Sequence, residues 1–155
     1  MKIKPNGFTQ SKLPLLRAFI TIISPHWKRV LIIGAEHIDP FLSLNCVIVD
    51  IDQTKLLPFG SKYFTLCRDV YNPHWILPLK ELISEFDAIY INLHGGVEVA
   101  KLIQEVYPKA DLLIITTNNT ISKFKELGIV KKINLREGLK GCVYLSYKLR
   151  EGDEN

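Results

Sequence analysis

The sequence predicts a three-layer α/β domain whose mostly parallel sheet ends in an antiparallel hairpin. Three observations predict it. Residues 28–37 and 46–52 are apolar runs bounded by polar residues, too short for typical helices, and read as buried parallel strands. The first ends in Gly34 and the second in Asp50 and Asp52, the outline of a βαβ unit with a glycine turn and a strand-end acid. Three more such runs follow, alternating with helical patterns, before two last strands separated by a glycine-containing connection.

The elements follow in order. Residues 1–9 read as a lead-in containing Pro5, Asn6 and Gly7. Over 11–23, Leu13, Leu16, Ile20 and Ile23 keep a helical period, with Thr9 or Ser11 as N-cap and Pro14 in the first turn. Ser24-Pro25 stops this helix, because the residue before proline is pushed out of the α region. Strand one is 30–34, and Asp39-Pro40 starts a helix that can run only over 40–44. Strand two is 46–51, residues 56–60 read as a loop, and strand three is 63–67. A helical segment over 77–85 precedes strand four at 88–93, and 97–106 is an amphipathic helix with Val99, Leu102, Ile103 and Val106 inward. Strand five is 112–116. Asn118-Asn119-Thr120 opens a short helix capped by Thr120 and stopped by Gly128. Residues 129–135 and 142–149 flank the connection 136–141 as a hairpin, and the acidic tail 151–155 frays.

Length and composition bound the rest. The 155 residues suit one domain, with 1–27 as lead-in and covering helix and 28–150 as the sheet-bearing unit. No apolar run approaches the roughly 18 residues of a membrane span, and the N-terminus lacks a secretory signal's apolar core, so no membrane and a cytoplasmic home are expected. Cys46, Cys67 and Cys142 have no CxxC spacing and read as reduced core thiols, with no metal site expected. The net charge of +4 is spread out, with Lys131-Lys132 and Lys123/Lys125 the only local concentrations. This is thin for a nucleic-acid partner, which remains open.

No Gly-x-Ser-x-Gly, Walker or Cys/His nucleophile pattern is present, so hydrolysis by those routes has no support. The histidines at 26, 37, 74 and 94 are scattered. His37, His74 and His94 each follow a strand's carboxyl end, where open α/β sheets bind ligands, although their spacing is diagnostic of neither a metal nor a base. Gly95-Gly96 reads as a tight turn before a helix. Trp27 and Trp75 read as packing residues.

The order of elements resembles the Rossmann-like class I S-adenosylmethionine-dependent methyltransferases, on Leu31-Ile32-Ile33-Gly34-Ala35, Asp50 and Asp69-Val70, over about 29–149. Asp69-Val70-Tyr71-Asn72-Pro73, Ile89-Tyr90 and Gly96-Val97-Glu98 are also similar to a small uncharacterised archaeal family of truncated methyltransferase-like proteins. The resemblance implies S-adenosylmethionine as cofactor. It places Gly34 and Ala35 at its methionine part, Asp50 on the ribose hydroxyls, Asp69 and the Val70 backbone at the adenine edge, and Asn92 or His94 toward the reacting methyl group. Glu36 and Ile38 stand where that family's motif has glycines, and Ile32 where it often has an acid for the cofactor's amino end, a role Glu36 would have to fill from another direction.

Two local readings compete with these roles. Asp50 can be a solvated strand-end acid, and Asp69 can be a turn former through Asx chemistry. The functional expectation is a domain that binds S-adenosylmethionine or a related nucleoside, with methyl transfer to an unread substrate. The competing expectations are an inactive module for protein partners or self-assembly, and a dinucleotide binder using Asp50.

Overall fold

Val30 to Ile33 are four consecutive residues with no exposed surface, so the strand that holds them is covered on both faces. In the computed structural model, which describes residues 6–93, 96–116, 122–129, 131–136 and 143–150, this strand is β1 (Arg29–Ile33). With β2 (Asn45–Asp50), β3 (Phe64–Cys67), β4 (Ala88–Ile91), β5 (Asp111–Thr116), β6 (Lys131–Arg136) and β7 (Val143–Lys148) it forms a seven-stranded sheet in the order β3-β2-β1-β4-β5-β7-β6. The first five strands are parallel, and β7 runs antiparallel to both β5 and β6. The predicted α/β architecture with its terminal hairpin is the observed one, while the connection 137–142 lies outside the described residues.

Side chains alternate between two cores. Leu31, Ile33, Val47, Val49, Ile89 and Ile91 face α3 (Ile76–Leu82) and α4 (Gly96–Val106). Val30, Ile32, Ile48, Ala88 and Tyr90 face the other way, toward Leu16 and Ile20 of α1 (Asn6–Ile23). Each such side chain contributes about 1.5–3 kcal/mol of apolar burial, so the central strands anchor the domain. Helix α1 also lies over the hairpin, where Phe19 meets Tyr147 with ring centroids 4.8 Å apart.

Four local expectations need correction. Helix α1 starts at Asn6, so Pro14 lies inside it and neither Thr9 nor Ser11 caps it. The helix expected over 40–44 is one 3₁₀ turn, Asp39–Phe41, with Pro40 supplying the fixed φ that starts it. The loop expected at 56–60 is helical: α2 (Gln53–Leu56) runs into a 3₁₀ turn, Leu57–Phe59. Asp52 causes this by capping α2, its Oδ1 accepting the Thr54 N–H at 2.9 Å and the Thr54 hydroxyl at 2.6 Å. Finally, Cys46 is a buried thiol but Cys67 is exposed, because β3 is a sheet edge.

Helix α5 (Ser122–Lys125) ends as expected at Gly128, whose φ of +79° is left-handed and whose N–H donates to the Lys125 carbonyl at 3.0 Å. The expected Thr120 cap and Cys142 lie outside the described residues. Among those described, no helix is long and apolar enough to cross a membrane.

Candidate functional site

The strand order reverses between β1 and β4, and the carboxyl ends of β1, β2 and β4 meet at that crevice. Gly34 forms its centre. Its φ is +92°, its N–H donates to the Val49 carbonyl at 2.8 Å, and a Cβ built on it would lie 2.3 Å from the Asn92 carbonyl oxygen. The end of β4 therefore already occupies the space that this glycine leaves free.

Asp50 ends β2 and is only 7% exposed. Its Oδ2 accepts the Ala35 N–H at 2.9 Å, and its Oδ1 accepts the Asp52 N–H at 2.9 Å. Two of the carboxylate's roughly four acceptor positions are taken, which fixes the group and leaves acceptor capacity on each oxygen. Asp50 is thus not a freely solvated strand-end acid.

Glu36 spans the rim. Its carbonyl accepts the Asn92 side-chain N–H at 3.2 Å, and its carboxylate pairs with Lys55 of α2 at 3.2 Å. The hydrogen bond to Glu36, with the charges of Glu36, Asp50 and Asp52, holds the Lys55 ammonium above the ordinary lysine range. His37 follows with φ +56°, and its carbonyl accepts the Tyr90 hydroxyl at 3.4 Å. Burial pushes that phenol far above its usual range. Ile38 is buried in the α1-side core and presents nothing to the rim.

After β3, Asp69 accepts the Tyr71 N–H at 3.0 Å, forming the Asx turn. The Val70 side chain joins the core and its carbonyl accepts the Trp75 indole N–H at 3.1 Å. Asp69 itself is exposed, so turn forming does not remove its second oxygen from solvent. Burial first, and then the nearby Asp69, raise the Tyr71 phenol. His94 and Gly95 lie outside the described residues. His37 and His74 follow the ends of β1 and β3, whereas His26 lies at the amino ends of the strands, its Nε2 3.8 Å from Asp111. Among the described residues no three His, Cys, Asp or Glu side chains are grouped to hold a metal ion.

Sequence reasoning missed Ile51, Lys55 and Tyr71. Ile51 is 65% exposed between two acids, and Tyr71 is also exposed. An isoleucine directly after a strand-end acid was the available signal for the first. Lys55 had none, since its partner Glu36 lies on another element.

No protein-family model matches the chain, and no curated protein sequence does. Solved structures do match it in fold. The N-methyltransferase NodS from Bradyrhizobium japonicum superposes with a TM-score of 0.65 at 10% identity, covering 96% of this chain and 100% of its own. A SAM-dependent methyltransferase from Archaeoglobus fulgidus gives 0.61 at 14% identity, covering 93% and 99%. The plantazolicin methyltransferase BpumL, in complex with SAH, gives 0.59 at 12% identity, covering 94% and 86%. The chain has the Rossmann-like α/β fold that these class I methyltransferases share.

Proposed function

We propose that this chain binds S-adenosylmethionine or a related nucleoside at the rim formed by the ends of β1, β2 and β3, and that it serves methyl transfer to an acceptor placed over β4. One observation carries the reading: the Asp50 carboxylate is fixed at the switch point with acceptor capacity left for the two ribose hydroxyls. The surrounding residues fit such a ligand. Ile51 and Tyr71 offer exposed apolar surface for a base beside the free oxygen of Asp69. Bound there, S-adenosylmethionine would supply an electrophilic methyl group, and the chain's own task would be positioning. The Glu36 carboxylate lies on the crevice rim but is committed to Lys55, so an amino group held there would compete with that lysine.

The test is calorimetric titration of the full chain with S-adenosylmethionine, S-adenosylhomocysteine and adenosine, with a thermal shift beside it. A ligand at roughly 100 times its Kd stabilises the folded chain by about 2.7 kcal/mol, which a melting curve resolves. No heat and no shift with any of the three sinks the reading.

A second reading, a module without catalysis that contacts a protein partner, is favoured by the β1 turn. Ile38 is packed into the core, and Glu36 is tied at both its carbonyl and its carboxylate, so the segment that would cradle a methionine is built into the fold. That reading expects the titrations to be silent and the folded chain to remain stable.

A further inference from the structure

A groove lies at the other end of the same strands, about 16 Å from the Gly34 turn along the five residues of β1. It encloses about 550 Å³, and Arg29, Ser43, Asn45, Lys62, Phe64 and Ile83 are among its lining residues. Arg29 and Asn45 are register partners across β1 and β2, and so are Val47 and Phe64 across β2 and β3. Side-chain alternation puts all four on the face that α3 covers. Helix α3 ends at Leu82, short of this edge, and leaves the amino ends of the three strands open.

We propose that this groove is a second binding site, for a phosphorylated nucleoside, with its phosphates between Arg29 and Lys62 and its flat apolar part against Phe64. Scattered surface cations call for no explanation, but here two of them line one concave groove with no carboxylate among its described lining residues. The side chains of Arg29, Ser43, Asn45 and Lys62 make no hydrogen bond or ion pair among the described residues. Lys62 rests 5.8 Å from the centroid of the Tyr63 ring. Asp87, whose carboxylate meets the backbone at Arg29, is spent elsewhere. Its Oδ2 accepts the backbone N–H groups of Lys28 and Arg29 at 2.7 and 2.9 Å, and its Oδ1 faces Arg150 at 3.8 Å.

Two cations with a hydroxyl and an amide donor lining the same groove match the chemistry of a phosphate ester, whose oxygens accept charge-assisted bonds from such groups. Phe64, 41% exposed, adds an aromatic surface beside them, and Ile83 extends it. A base has a π-face to lay on such a ring, whereas inorganic phosphate has no use for it.

The experiment is an amide NMR titration of the labelled full chain with ADP, pyrophosphate and adenosine, reading Ser43 and Asn45 for the groove and Ala35 and Asp52 for the rim. ADP and pyrophosphate are expected to shift the groove amides and adenosine to leave them still, with ADP bound more tightly. Arg29→Met and Lys62→Met should each weaken ADP about 10-fold through loss of a charge-assisted contact, and Phe64→Ala should weaken ADP but not pyrophosphate. All three positions are exposed, so the folded chain should persist. Absence of groove shifts with either phosphate compound overturns the site. Unchanged binding in the Arg29→Met, Lys62→Met double variant overturns it too. Equal affinity for ADP and pyrophosphate overturns the nucleoside part. The rim amides report the proposed S-adenosylmethionine site separately, so either site can fail without the other.

Discussion

The indole N–H of Trp27 donates to the Asp111 carboxylate at 2.7 Å, joining residues 84 positions apart. Asp111 is fully buried, and its other oxygen accepts the Arg150 N–H at 2.7 Å. One carboxylate thus ties the chain entering β1 and the chain leaving β7 to the start of β5. Asp111→Ala strands one buried donor, the Trp27 indole, and one part-buried donor, the Arg150 N–H, so a loss of about 2–3 kcal/mol is expected in urea unfolding. Asp111→Asn, which keeps one acceptor, should lose about half of that. A loss under about 1 kcal/mol for the alanine variant would show that water replaces the carboxylate and that the clamp is not structural.

Three glycines form a graded series. At Gly34 a methyl group meets backbone, the Asn92 carbonyl 2.3 Å away, and φ is +92°. Neither can relax cheaply, and Gly34→Ala is expected to cost about 3 kcal/mol or more. At Gly128 φ is +79°, but the nearest atom is the end of the Lys148 side chain at 3.1 Å, which can swing away. That leaves the left-handed penalty of about 1–2 kcal/mol. Gly60 has φ −65° and nothing closer than 3.9 Å, so alanine there should be neutral or stabilise by up to about 1 kcal/mol. Equal melting temperatures for the Gly34 and Gly128 variants would overturn the close approach of β4.

Stability should fall in alkali, with a sign fixed by buried acids. Burial pushes the Cys46 thiol from 9.0 up to about 12 and the Tyr107 phenol from 10.0 up to about 12. Between those values the unfolded chain has given up protons that the folded chain still holds. Stability is therefore fully present below about pH 9 and declines as pH rises toward 12. Urea midpoints measured across that window should drop steadily, and Cys46→Ala should flatten the first part of the decline. An identical slope in that variant would remove Cys46 as a cause. The exposed Cys67 should react with a thiol reagent in the folded state while Cys46 stays protected.

How much of this was legible depended on how far apart the partners sit in sequence. Val30 to Ile33 and Ala88 to Ile91 declared themselves because strands covered on both faces must be apolar throughout. Gly128 was readable as a helix stop because its role is local. Helix α2 was not readable: four residues carry no period, and its cap Asp52 looked like a second strand-end acid. Asp111 and Asp87 give no signal, since the donors they serve lie 39 and 84 residues away for the first and 58–59 for the second. At the rim, Asp50 stands out as a strand-end acid, Asp69 only through the family resemblance, and Gly34 for a cofactor-facing reason to which the structure adds the carbonyl of Asn92.

Asp50 is where turn and ligand can be told apart. Its carboxylate holds the Ala35 and Asp52 N–H groups, so any substitution weakens the turn whether or not a nucleoside binds. Asp50→Asn keeps the shape and one acceptor, and should cost about 1 kcal/mol in stability. Asp52→Ala supplies the matching control, because losing the α2 cap should also cost about 1 kcal/mol while leaving every oxygen of Asp50 in place. If Asp50 takes the ribose hydroxyls, Asp50→Asn should weaken S-adenosylhomocysteine at least about 10-fold, the worth of a charge-assisted contact, and Asp52→Ala should not. If the two variants lose stability and affinity in the same proportion, Asp50 acts on the ligand only through the turn. The carboxylate would then be a structural clamp at the carboxyl end of the sheet, as Asp111 is at the amino end.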